Sequence, residues 1–129
     1  MSSIFTKIIN GELPAYKVAE NEKFLAFLDI SPIAKGHTLV IPKTEVDYMF
    51  NIEDELLAEM WLFAKKVALK IENAIPCQRV GVAVIGLEVP HAHIHLVPIN
   101  HVGDINFSQP KLSFTQEEMK DICDKISNA

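Results

Sequence analysis

Cysteine is scarce in this chain of 129 residues: Cys77 and Cys123 stand far apart, outside any Cys-x-x-Cys spacing. That excludes a thiolate metal knuckle and a disulfide framework, and both thiols are expected to be reduced, ordinary residues. Long hydrophobic runs are missing too. No stretch approaches the ~20 apolar residues that span a bilayer, and Lys7 interrupts the short apolar stretch near the N-terminus, unlike a signal-peptide core. The expectation is a cytoplasmic protein with no membrane partner. Positive charge is in deficit, with 12 Lys and Arg against 17 Asp and Glu and a formal net charge of −5. A nucleic-acid polymer needs clustered bases to neutralise its phosphates and is excluded as a partner, whereas a single nucleotide needs only a local pocket. Linkers, low-complexity tracts and internal repeats are lacking as well. Hydrophobic residues at 49% and charged residues at 22% suit a core-forming globular chain, expected to be one domain over residues 1–129.

What the chain does have is a row of histidines, His91-Ala92-His93-Ile94-His95-Leu96-Val97. Alternation with period two predicts a strand over residues 92–98, with the three imidazoles on one face and Ala92, Ile94 and Leu96 on the other. Neighbouring rings would then project from Cα atoms about 6.6 Å apart, close enough to converge on one anionic group. Histidine titrates nearest neutrality, so such a row offers a nucleophile, a proton donor and an orienting group without a metal or other cofactor. Zinc ligation is the rival reading. Three histidines in a straight row are too spread to share one ion easily, but a two-ligand site completed by His37 stays open.

Around the row, hydrophobic spacing predicts a short N-terminal helix on Ile4, Phe5, Ile8 and Ile9, stopped by Asn10-Gly11 and Pro14. Strands are predicted over residues 16–19, 23–29, 37–42 and 80–85. A long helix should run from near Asn51 to about Asn73, with Leu56, Leu57, Met60, Trp61, Ala64, Val67, Ala68 and Ile71 on its apolar face and Pro76 ending it. Thr115-Gln116-Glu117-Glu118 has the form of a capping box opening a C-terminal helix. Hairpin-joined strands with segregated helices predict an α+β fold with an antiparallel sheet of about five strands.

The histidine row resembles the signature of the histidine triad family of nucleotide hydrolases and transferases, His-φ-His-φ-His-φ-φ with φ apolar. The resemblance extends through Ile4–Ile9, Glu12-Leu13-Pro14-Ala15, the segment from Leu25 to Pro32 and the segment from Gly36 to Lys43. It implies a homodimer of histidine triad fold that binds a small nucleotide substrate. It also implies nucleophilic attack on the α-phosphorus by the middle histidine, here His93, flanked by His91 and His95 as donors to the phosphate and supported by His37. Asp29 matches the carboxylate that accepts from the ribose hydroxyls. Phe5, Ile8, Phe27 and Ile30 match the walls that hold the base.

Two departures from the family pattern bear on the substrate. In Gly86-Leu87-Glu88, which should border the phosphates, Leu87 replaces a usual glutamine and Glu88 the hydroxyl residue that meets the phosphate or leaving group. Glu88 disfavours an anionic leaving group and better tolerates an amine, so nucleoside phosphoramidates are expected ahead of dinucleoside polyphosphates. Glu45 stands where a histidine is frequent and is expected to contribute nothing to catalysis. Besides phosphoramidase and dinucleoside polyphosphate hydrolase, two other classes stay open: a metal-dependent hydrolase using the row, and a nucleotide-binding regulator with little turnover.

Overall fold

The computed structural model describes residues 2–129. Five strands form one antiparallel sheet: β1 (Lys17–Glu20), β2 (Phe24–Leu28), β3 (Thr38–Pro42), β4 (Arg79–Ala83) and β5 (Ile94–Ile99), in the order β1-β2-β3-β5-β4. Three helices accompany it: α1 (Ile4–Ile9), α2 (Asp54–Ala74) and α3 (Gln116–Ser127). This is the α+β architecture that the hydrophobic spacing predicts.

Every residue of β2 and β3 is buried, because the sheet is covered on both faces. Phe24, Ala26 and Leu28 of β2, Val40 of β3, and Ile94 and Leu96 of β5 pack beneath α2 and α3. There they meet Met60, Phe63, Val67 and Ile71 of α2 and Met119, Ile122 and Ile126 of α3. Each large side chain enclosed here contributes roughly 1.5–3 kcal/mol. The alternate residues Leu25, Phe27, Leu39 and Ile41 face the other way and meet Phe5 and Ile8 of α1. Trp61 departs from the predicted helix face: it is 40% exposed, because the α2 stripe that reaches the sheet runs through Met60, Phe63, Ala64, Val67 and Ile71.

Local chemistry sets the helix ends. The Ser3 hydroxyl accepts from the Thr6 amide to start α1, and Gly11, at φ 78°, lets the chain turn away after Asn10. The expected capping box opens α3, with the Thr115 and Glu118 side chains each bonded to the other's amide.

Candidate active site

β5 sends Ile94 and Leu96 into the helix-covered core, so His95 emerges on the α1 side, between Leu39 of β3 and Ala83 of β4. The alternation continues upstream. Ala92 is buried with the helix-side core, while His91 and His93 pack edge-on against Phe5, with ring centroids at 5.8 and 5.1 Å. The strand itself begins only at Ile94, not at Ala92, so His91 and His93 lie ahead of it. The ladder cannot extend further because its bonding groups are spent elsewhere. The Ala92 amide donates to the Val46 carbonyl at 2.7 Å, and the His91 carbonyl accepts from the ring of His93 at 2.7 Å. The histidines share a face without sharing a regular strand.

The hydrogen-bond partners fix where each ring carries its proton. His93 Nδ1 can only donate to the His91 carbonyl, which leaves Nε2 with its lone pair. In the second pair, the Ile33 amide donates to His37 Nδ1 at 3.1 Å, so His37 bears its proton on Nε2 and donates it to His95 Nδ1 at 3.0 Å. His95 is thereby left with a free Nε2–H. Among the described residues no buried side-chain nitrogen or oxygen lacks a partner, and neither His93 Nε2 nor His95 Nε2 has one in the protein, so both atoms reach solvent. The two rings stand 4.9 Å apart, one presenting a lone pair and the other an N–H.

The assignment of the His37–His95 pair requires neutral rings, and burial supplies them. It pushes His95 down to about 3, helped by His93 and His37 alongside, and His37 down to about 4 against the opposing pull of Asp29. Burial lowers His91 too.

His91 does not present itself to a substrate as the row suggests. Its ring is fully buried, with Nε2 donating to the Pro42 carbonyl at 2.8 Å and Nδ1 accepting from the Ser3 hydroxyl at 2.7 Å. A contact from His91 to a phosphate needs one of these bonds to break. Glu45, expected to stand idle, is joined to this arrangement: the Ser3 amide and the Thr6 hydroxyl both donate to its Oε1 at 2.6 Å. Those two bonds hold the Glu45 carboxyl well below the usual carboxylate range.

Asp29, His37 and His95 bring three potential metal-ligand atoms within 4.8 Å of one another. The Ile33 amide argues against an ion there. A neutral imidazole ligating through Nε2 carries its proton on Nδ1, where the Ile33 N–H already points. The donor set fits a proton chain better than a ligand shell.

The open nitrogens face a cavity of about 410 Å³, within the usual range for small-ligand sites. Ile4, Phe5 and Leu39 form one wall, Asp29 and Ser31 another, and the loop from Ile85 to Val89, including Gly86 and Glu88, the rim. One oxygen of Asp29 accepts from the Ser31 amide at 2.8 Å, leaving Oδ2 3.7 Å from His37 Nε2. Gly86 adopts φ 76°, so the rim turn itself calls for glycine. Three predicted wall residues stand outside the cavity lining. Ile8 and Phe27 are buried behind Phe5, since α1 turns Phe5 and Ile8 alike onto the sheet, and Ile30 is 77% exposed. Among the lining residues not predicted from the sequence are Phe107, whose ring lies 4.7 Å from His95, and Lys111. Both belong to an irregular segment with no periodicity to mark it.

A five-stranded antiparallel sheet with His93 and His95 paired at the cavity on one face matches the histidine triad fold, and the comparisons agree. The HIT domain family matches residues 10–102. An adenosine 5'-monophosphoramidase of Schizosaccharomyces pombe is 38% identical over 131 residues, covering 99% of this chain and 98% of that protein. The crystal structure of a HIT-like protein from Bartonella henselae superposes with a TM-score of 0.86 at 27% identity, covering 98% of this chain and 95% of that one. A zinc-bound histidine triad protein from Mycobacterium smegmatis gives 0.81 at 28% identity, covering 99% and 95%. The chain belongs to the histidine triad (HIT) family.

Proposed function

We propose that the protein is a hydrolase or nucleotidyl transferase acting at the α-phosphate of nucleoside phosphoramidates or related nucleotide conjugates. The observation that carries this reading is the lone pair of His93 Nε2, opening onto the cavity beside the free N–H of His95. His93 Nε2 bonds to the α-phosphorus as the phosphorus–nitrogen bond breaks, and the amine departs with a proton taken up from solvent, which the next step returns. Water then adds to phosphorus, the bond to His93 breaks, and nucleoside monophosphate leaves with release of a proton. His95 donates to a phosphate oxygen as charge builds there, a contribution of about 3 kcal/mol in comparable sites. His37 holds His95 in the donating tautomer, His91 serves as a buried post for the His93 segment, and Asp29 takes the ribose hydroxyls.

The name of the fission-yeast relative supports an amine leaving group, as does Glu88 on the rim, where a carboxylate repels a second anionic nucleotide. A panel of nucleoside phosphoramidates and dinucleoside polyphosphates tests the assignment. Phosphoramidates should turn over faster, and Glu88→Ser should narrow the gap. A preference of the unmutated protein for the dinucleotides contradicts the assignment, and turnover of neither class points to a nucleotide-binding regulator.

A further inference from the structure

The carboxylates of Asp29 and Glu88 both border the cavity, and His37, His91 and His95 are uncharged near neutral pH. An anionic phosphate entering this space therefore meets negative charge. Among the described lining residues one side chain is a Lys or Arg: Lys111. It lies outside the HIT-matching residues 10–102, on the irregular segment leading into α3.

That segment is tied across the mouth of the site. The Leu112 amide donates to the Pro32 carbonyl at 2.8 Å, beside the Asp29-to-Ser31 wall. Phe107 packs at 4.7 Å from His95 and 6.0 Å from His37. Lys111 Nζ donates to the Phe107 carbonyl at 3.0 Å and lies 5.5 Å from the centre of the Phe107 ring. An ammonium has three donors, so two remain for a ligand. We propose that Lys111 is a substrate-binding residue, the cation that receives the anionic oxygens of the nucleotide phosphate on the side of the cavity away from α1. Phe107, packed against His95 and His37, holds it at the cavity.

The inference rests on the nucleotide reading above, and titration calorimetry with adenosine and AMP separates the two. Wild-type protein should bind both. Lys111→Gln keeps a donor for the Phe107 carbonyl and removes the charge; it should bind adenosine as the wild type does and AMP roughly tenfold more weakly, the size of one lost charge-assisted contact. Lys111→Arg should recover most of that loss, and raised salt should shrink the difference between wild type and Lys111→Gln. Unchanged AMP affinity in Lys111→Gln overturns the proposal. So does an equal loss for adenosine, which would show that Lys111 only shapes the mouth. If the wild type binds neither compound, the nucleotide reading itself falls and this assignment falls with it.

Discussion

The paired rings of His37 and His95 are the residues whose chemistry depends most on their surroundings. Buried and linked by one hydrogen bond, they stay neutral down to about pH 4 and about pH 3, whereas in the unfolded chain each takes up a proton near pH 6.5. Between those values the unfolded state binds more protons than the folded one. Stability is therefore full above about pH 6.5 and falls as the pH drops toward 3, by an amount on the order of a few kcal/mol for the pair. Urea unfolding at pH 7, 5.5 and 4 should show this decline, and replacing both rings by phenylalanine should flatten it. An identical slope in the double variant would mean that other groups carry the acid sensitivity. None of this coupling is visible in the sequence, where His37 and His95 lie 58 positions apart. The tautomers depend on Ile33 and on the backbone of His91, which no motif names.

At the scale of elements, α1 is the informative one. Six residues are too few to hold a helix in water, so it depends on what it docks against. Phe5 and Ile8 supply an apolar contact with β2 and β3, and the chain from Glu45 through Ser3 and Thr6 to His91 supplies a polar one. Glu45→Ala should leave the sheet intact, speed amide exchange in residues 4–9 and raise KM more than it lowers kcat, because Ile4 and Phe5 wall the cavity. Unchanged exchange in α1 would show that apolar packing alone seats the helix. The spacing of Ile4, Phe5, Ile8 and Ile9 marks this helix in the sequence, but not its polar anchor, since the partners are 39 and 42 positions apart. The histidine strand shows the same division. Alternation identifies the shared face of the three rings, whereas the start of β5 at Ile94 depends on the bond from the Ala92 amide to the Val46 carbonyl, which alternation cannot register.

For the molecule as a whole, the sheet order places β4 at an edge, with Val82 48% exposed on it, and α2 shows Trp61 40% and Leu62 62% exposed. Met60, by contrast, is fully enclosed within the chain. We read the exposed residues as the surface through which two copies pair, as the family resemblance implies. Sedimentation at micromolar protein should give a dimer, and a monomer throughout would reject the reading. The fold was readable from hydrophobic spacing because core faces repeat. The far wall of the site was not, because Phe107 and Lys111 reach the cavity through an irregular segment placed by the tertiary structure. The central claim is that His93 attacks phosphorus through Nε2, held ready by the bond from Nδ1 to the His91 carbonyl. Mass spectrometry of protein quenched during turnover of a nucleoside phosphoramidate, with and without EDTA, tests it most directly. An acid-labile adduct of one nucleoside monophosphate on His93, formed at the same rate with chelator and absent in His93→Ala, is the predicted result. An adduct on another residue, or activity abolished by EDTA and restored by zinc, would contradict it.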